Sequence, residues 1–105
     1  MVIKETSVFT RRVQKLLTDD EYRELQIALM RDPGKGQIMV GSGGLRKVRW
    51  RASGRGKSSG VRTIYYWAVD NDQLLMLLIY SKSERDDLSL DQIKALRTIV
   101  ESEYP

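Results

Sequence analysis

Two amphipathic stretches near the start of the chain predict a pair of helices. In residues 9–17 apolar side chains recur at helical spacing, and Ser7 is the predicted N-cap. Thr18 with Glu21 three residues later forms a capping-box signature, which predicts that a second helix starts there. The Asp-Pro-Gly sequence at 32–34 predicts the end of this helix.

From residue 45 onwards the pattern changes from helical to alternating, which predicts strands. Segments 45–51, 61–69 and 74–82 are rich in β-branched, aromatic and aliphatic residues, and turn-forming stretches separate them. They predict a three-stranded antiparallel meander. The continuous apolar run at 74–80 predicts a central strand that helices cover on one side.

A third amphipathic stretch predicts the last helix. Ser89 and Gln92 repeat the capping-box signature, and apolar residues follow at helical spacing as far as Val100. With a short opening strand at residues 2–4, the predicted order is β-α-α-β-β-β-α. We therefore expect an α+β fold in one domain, residues 1–105, with an antiparallel β-sheet packed against an N-terminal helix pair and a C-terminal helix.

The composition excludes several kinds of site. The chain has no cysteine, so it has neither a disulfide nor a thiolate nucleophile. It also has no histidine, which is the commonest transition-metal ligand and the usual general base. Because the longest apolar run is too short to span a bilayer and no signal-peptide pattern opens the chain, we expect a cytoplasmic protein without a membrane partner.

Positive charge is concentrated in the middle of the chain. Between Pro33 and Val69 there are eight basic residues and no acidic one, whereas the rest of the chain has ten basic and fourteen acidic residues. The eight are Lys35, Arg46, Lys47, Arg49, Arg51, Arg55, Lys57 and Arg62. Such a charge distribution is typical of proteins that bind a polyanion.

Part of this charge falls on one face of the predicted sheet. Lys47, Arg49 and Arg51 alternate with apolar residues, and Arg62 on the next strand and Lys82 after the last strand would join them if the register allows. Such a cluster could bind phosphates and stabilise a phosphoryl transition state. The alternative is a solvated sheet face. Against that alternative, unpaired like charges on neighbouring strands repel each other.

Other candidate features admit two interpretations each. The turn-rich segment 52–60 is either a basic arm that clamps nucleic acid or an ordinary surface loop. Among the aromatic residues at most one, Tyr66 or Tyr80, is expected to stack on a base, because strand neighbours alternate and the rest must point into the core. The carboxylates of Glu84, Asp86 and Asp87 are interpreted as a solvated turn rather than a metal site.

Three segments resemble the HigB branch of the RelE/ParE toxin superfamily. They are GGLRKVR at 43–49, GVRTIYY at 60–66, and IYSKSE at 79–84 followed by Asp-Leu at 87–88. The resemblance covers nearly the whole chain and implies a RelE-like fold. It also implies a type II toxin that acts as a ribosome-dependent endoribonuclease and cuts translated mRNA in the A site without metal or cofactor. In that reaction the ribose 2′-hydroxyl attacks the adjacent phosphate, and basic residues replace the usual histidines.

The same resemblance implies a role for individual basic residues. Lys47 and Arg49 fall on the paired basic positions of one strand, Arg62 falls on the arginine of the next strand, and Lys82 falls on a basic position after the last strand. Arg62 would stabilise the pentavalent phosphorane electrostatically. Lys47 or Lys82 would transfer the proton, because nearby cations favour the neutral amine.

Two departures from the family pattern affect the expected proton transfer. Ser83 and Ser89 stand where an arginine and a tyrosine are expected, which leaves Tyr80 as a substitute in the catalytic set. The residues predicted to contact RNA or the ribosome are Arg46, Arg51, Arg55, Lys57 and Tyr66.

The resemblance also implies partners and leaves other functions open. The partners are the ribosome with its mRNA and a cognate helix-turn-helix antitoxin of the HigA type, through which operator DNA is contacted indirectly. ParE-like relatives inhibit DNA gyrase without catalytic groups, so gyrase inhibition stays an alternative. A non-catalytic RNA-binding module is another, since basic charge and aromatic residues suffice for it.

Overall fold

The computed structural model describes residues 1–52, 60–85 and 87–105 of the chain. Its helices are α1 (Ser7–Leu16), α2 (Asp19–Arg31) and α3 (Leu90–Glu103), and its strands are β1 (Val2–Glu5), β2 (Gln37–Ile38), β3 (Leu45–Trp50), β4 (Val61–Ala68) and β5 (Gln73–Ser81). The predicted RNA contacts Arg55 and Lys57, and the carboxylate of Asp86, lie outside the described residues. Among the helices of the described ranges, none has the length and apolarity that crossing a membrane requires.

The five strands form one sheet in the order β1-β5-β4-β3-β2. The predicted antiparallel meander is confirmed as β3, β4 and β5. The expected α+β fold is confirmed, although one strand pairing is not antiparallel, because β1 pairs in parallel with β5. The predicted element order also lacked β2, an edge strand that pairs with β3 and is too short to show an alternating pattern.

Helices cover both faces of the sheet. On one face α1 and α2 contribute Phe9 and Leu25 to a core that includes Tyr65 of β4. On the other face α3 contributes Leu96 and Val100 to a second core. Strand β5 is therefore covered on both sides, not on one side as expected, and this double burial explains its continuous apolar sequence.

The helix starts follow local side-chain chemistry. The two capping boxes, Thr18 with Glu21 and Ser89 with Gln92, are both present as predicted. Helix α1, however, has Thr6 rather than Ser7 as its N-cap, because Thr6 Oγ1 accepts a hydrogen bond of 3.1 Å from the Phe9 amide. The same hydroxyl donates to the carbonyl of Leu77 at 2.8 Å, so the cap also joins the helix to β5.

A buried tyrosine connects the segment after α2 to the sheet. The hydroxyl of Tyr65 donates to the Pro33 carbonyl at 2.7 Å and accepts from the Gly36 amide at 2.9 Å. Burial raises the pKa of this phenol, so it stays protonated and able to donate. The two hydrogen bonds fix the approach of the chain to β2 and β3.

Replacing Tyr65 by Phe tests this connection. Tyr65→Phe leaves the Pro33 carbonyl and the Gly36 amide without their partner, so we expect the free energy of unfolding to fall by roughly 1–3 kcal/mol. Urea denaturation followed by circular dichroism measures it. An unchanged unfolding midpoint would show that water replaces the phenol without cost.

Candidate functional site

The register of β3, β4 and β5 aligns three polar side chains across the sheet. Arg49 is paired with Arg62, and Arg62 is paired with Tyr80. Residues paired directly on antiparallel strands point to the same face, with Cβ atoms about 4.5–5.5 Å apart. We call these three residues the Arg–Arg–Tyr row. It lies on the face of the sheet that carries α3, because Tyr80 belongs to the core on that side.

A bulge in β5 keeps the tyrosine on this face. The pairing with β4 shifts between Ile64 and Tyr65, so that Leu78 and Met76 are paired with consecutive residues and Leu77 is extra. The bulge shifts by one residue the alternation of β5 side chains between the two faces of the sheet. Residues before and after the bulge therefore both contribute to the core on the α3 side.

A glycine allows the chain to enter β4 in this register. Gly60 has φ of 74°, and a Cβ atom at this position would lie 2.5 Å from the carbonyl oxygen of Trp50. Trp50 is paired with Val61, directly next to the Arg49–Arg62 pair. Because only glycine tolerates both the conformation and the close approach, the alignment of the two arginines depends on Gly60.

Lys47 lies on the same face as the row, two residues before Arg49. Its Nζ is 3.5 Å from Oδ1 of Asp87, whose side chain is 66% exposed. A carboxylate therefore faces the amine of Lys47, on a face that also carries Arg49 and Arg62. An ion pair this long and this exposed contributes little to folding stability.

Tyr80 is the most enclosed member of the row. Its side chain is fully buried, and its hydroxyl has no hydrogen-bond partner within the described ranges. Burial raises the pKa of the phenol; Asp87 raises it further, and Arg62 and Arg85 oppose the rise. The phenol is therefore protonated at neutral pH and is a proton donor rather than a base. A ligand could contact the hydroxyl only after neighbouring side chains had moved.

Arg85 is a site residue that the sequence analysis missed. Its guanidinium carbon lies 5.6 Å from the centre of the Tyr80 ring, so it adds a third guanidinium next to the row. Arg85 follows the end of β5, where the alternating pattern has stopped, and it directly follows the IYSKSE segment. A single arginine in a turn carries no periodic signal, so only the tertiary structure shows its place.

One of the predicted RNA contacts, Arg46, is not brought to the row. Arg46 points to the opposite face, where it donates to the carbonyls of Gly34 and Gly36 at 3.2 and 2.8 Å and lies over Trp67. It supports the chain segment before β2. Arg51 is exposed and lies just beyond the end of β3.

Tyr66 and Lys82 lie in different settings. Tyr66 is on the α3 side but is half-buried, and its ring packs against Tyr104 with the centroids 5.8 Å apart. Tyr104, which directly follows α3, therefore covers part of the ring on which a base would stack. Lys82 is exposed in the turn that follows β5. Within the described ranges, no three carboxylates come close enough together to hold a metal ion.

Solved structures with a similar fold exist, although no protein-family model matches the sequence. A chain of the intact E. coli RelBE toxin–antitoxin complex superposes with a TM-score of 0.60 and 13% identity, covering 76% of this chain and 94% of that chain. This protein has a RelE-like fold. A double arginine-to-alanine mutant of E. coli toxin RelE in the free state gives a TM-score of 0.60 and 12% identity over 92% of this chain and 93% of that chain.

The unpartnered hydroxyl of Tyr80 leads to a stability prediction. Tyr80→Phe removes a buried polar atom that makes no hydrogen bond within the described ranges, so the free energy of unfolding should stay unchanged or rise by about 1 kcal/mol. The matched comparison is Tyr65→Phe, which removes two hydrogen bonds and should destabilise. Equal losses in the two variants, measured by urea denaturation, would contradict this account of Tyr80.

Proposed function

We propose that this protein is the toxin of a toxin–antitoxin system and acts as a ribosome-dependent endoribonuclease of the RelE/HigB type. The observation that carries the proposal is the Arg–Arg–Tyr row with Lys47 beside it, on a RelE-like fold. Two guanidinium groups paired on neighbouring strands can together bind one phosphate group of an RNA chain.

The proposed reaction needs electrostatic stabilisation more than any other contribution. The ribose 2′-oxygen forms a bond to the adjacent phosphorus while the bond from phosphorus to the 5′-oxygen of the next nucleotide breaks. The products are a 2′,3′-cyclic phosphate and a 5′-hydroxyl. In the pentavalent transition state negative charge increases on the non-bridging oxygens, and Arg49 and Arg62 are placed to stabilise it.

Two protons move during this exchange. A base takes the proton of the 2′-hydroxyl, and an acid gives one to the departing 5′-oxygen. Lys47 on the sheet and Lys82 on the following turn are the candidates for the first transfer. Tyr80, whose burial keeps it protonated, is the candidate for the second, once bound RNA has displaced the side chains around it.

The partners follow from the same surface. Concentrated positive charge favours RNA over a gyrase subunit as the target. A chain of the RelBE toxin–antitoxin complex is among the similar structures, and this supports an antitoxin partner. We propose a helix-turn-helix antitoxin of the HigA type that contacts operator DNA. An acidic segment of the antitoxin near the row would complement its positive charge.

The proposed substrate is mRNA on translating ribosomes, so we propose that the protein acts in the cytoplasm.

Primer extension on mRNA from translating ribosomes tests the proposed function. The purified protein should produce new mRNA 5′ ends within reading frames, and the upstream fragments should end in a 2′,3′-cyclic phosphate. A DNA supercoiling assay with gyrase is run in parallel. Inhibition of gyrase without new mRNA ends would overturn the proposal in favour of the ParE-like alternative.

Substitutions in the cationic set should abolish toxicity without unfolding the protein. We expect Arg62→Ala to lower the cleavage rate about 10² to 10³-fold, the usual effect of removing one transition-state donor, and Lys82→Ala to relieve growth arrest as well. Arg11→Ala on α1 and Lys94→Ala on α3 remove the same charges from exposed positions and serve as controls. Full toxicity in both site variants, with melting curves like that of the wild type, would refute the assigned site.

The ion pair of Lys47 with Asp87 should compete with RNA. Asp87→Asn removes the negative charge that faces Lys47. It keeps a side-chain oxygen that can accept the hydrogen bond of 2.9 Å from the Leu88 amide. We expect a few-fold tighter binding of an RNA oligonucleotide, measured by fluorescence anisotropy at low salt. The gain should shrink as salt is raised. A gain that is the same at high salt would mean that the effect is not electrostatic.

A further inference from the structure

The carboxylate of Glu84, which directly precedes Arg85, accepts hydrogen bonds from both Arg12 and Ser81. A terminal nitrogen of Arg12 donates to both carboxylate oxygens of Glu84, at 2.7 and 2.6 Å. The backbone amide of Ser81 donates to Oε1 of the same carboxylate at 3.0 Å, and the Ser81 hydroxyl lies 3.3 Å from it. Glu84 lies in an exposed turn, as expected, and its carboxylate makes these specific contacts in addition.

Arg12 joins three parts of the molecule. It projects from α1, its Nε donates to the carbonyl of Ile79 in β5 at 2.7 Å, and its terminal nitrogen binds Glu84 in the turn that follows. Ile79 directly precedes Tyr80, and Glu84 directly precedes Arg85. Arg12 thus contacts the residue immediately before each member of the Arg85–Tyr80 pair.

We propose that Arg12 and Glu84 are positioning residues that hold the guanidinium of Arg85 against Tyr80 at the end of the Arg–Arg–Tyr row. This inference rests on the proposed nuclease function for its effect on rate. Neither residue touches the reacting phosphate. Both act through Arg85, whose place in the turn they determine.

The exposure of the ion pair argues for this role over a purely stabilising one. The side chains of Arg12 and Glu84 are 31% and 35% exposed, and ion pairs with such exposure contribute little to folding stability. Burial alone would raise the pKa of Glu84, but the hydrogen bonds from Ser81 and Arg12 outweigh it and keep the pKa below the usual value. The carboxylate is therefore ionised at neutral pH, where the contact must operate.

The kinetic test separates positioning from folding. Glu84→Gln should lower kcat for mRNA cleavage at least tenfold with KM nearly unchanged, because a small displacement of a catalytic group is costly in rate. The matched control is Asp20→Asn, which breaks the exposed Asp20–Arg23 ion pair of 3.7 Å on α2 and should change neither parameter. An unchanged kcat in Glu84→Gln would overturn the proposal, and so would a loss that the control variant reproduces.

A double-mutant cycle identifies the residue through which Glu84 acts. In a protein that already carries Arg85→Ala, Glu84→Gln should reduce the rate less than twofold, since there is no guanidinium left to position. A tenfold loss that persists in the Arg85→Ala protein would show that Glu84 acts by another route and would refute the assignment.

A titration of Tyr80 tests the positioning without any cleavage. Arg62 from β4, and Arg85 and Asp87 from the segment after β5, are the charged groups that act on this phenol. Loss of a negative charge at Glu84 would by itself lower the pKa of Tyr80, whereas removal of Arg85 from the ring raises it. The NMR signal of the Tyr80 ring, assigned with Tyr80→Phe, should therefore titrate at higher pH in Glu84→Gln and not in Asp20→Asn.

The two measurements can fail separately. If the wild-type protein cleaves no RNA, the proposed function is refuted, and a raised Tyr80 midpoint in Glu84→Gln still supports the positioning contact. A midpoint that stays unchanged or falls refutes the positioning contact, whether or not the protein cleaves RNA.

Discussion

The antiparallel register of β3, β4 and β5 is the constraint on which the site depends. A shift of β4 by one residue would turn Arg62 to the α1 and α2 face, into a core that includes Phe9 and Leu25. Because both faces are packed with apolar side chains, such a shift is strongly opposed. The same packing that stabilises the fold therefore brings two arginines together, and their placement on strands gives them less freedom than a loop would.

Much of the architecture follows from local sequence patterns. The helical periods, the two capping boxes and the alternating strands depend on residues close together in the chain, and all of them were predictable. The same is true of the side chains of Lys47 and Arg49, because alternate residues of one strand must share a face. That Arg62 joins them depends on the register, which the sequence suggested but did not determine.

The features that were not predictable depend on contacts between distant residues. Nothing in the sequence of β1 indicates that it pairs in parallel with β5. Arg46 was grouped with the other basic residues by charge alone, yet strand alternation turns it to the carbonyls behind the sheet. Arg12 and Glu84 are 72 residues apart in sequence, so no local pattern reveals their contact. Arg85 contacts Tyr80 from a turn that has no periodic pattern.

The parallel pairing of β1 with β5 has a consequence for the synthesis of the chain. Val2 is paired with Gln73, so most of the polypeptide lies between the two strands. Such distant contacts form slowly, and here they must wait until β5 has left the ribosomal tunnel. A chain that is released early lacks both the last strand and Tyr80. Only polypeptides that extend through β5 can form the pairing of β1 with β5 and complete the Arg–Arg–Tyr row.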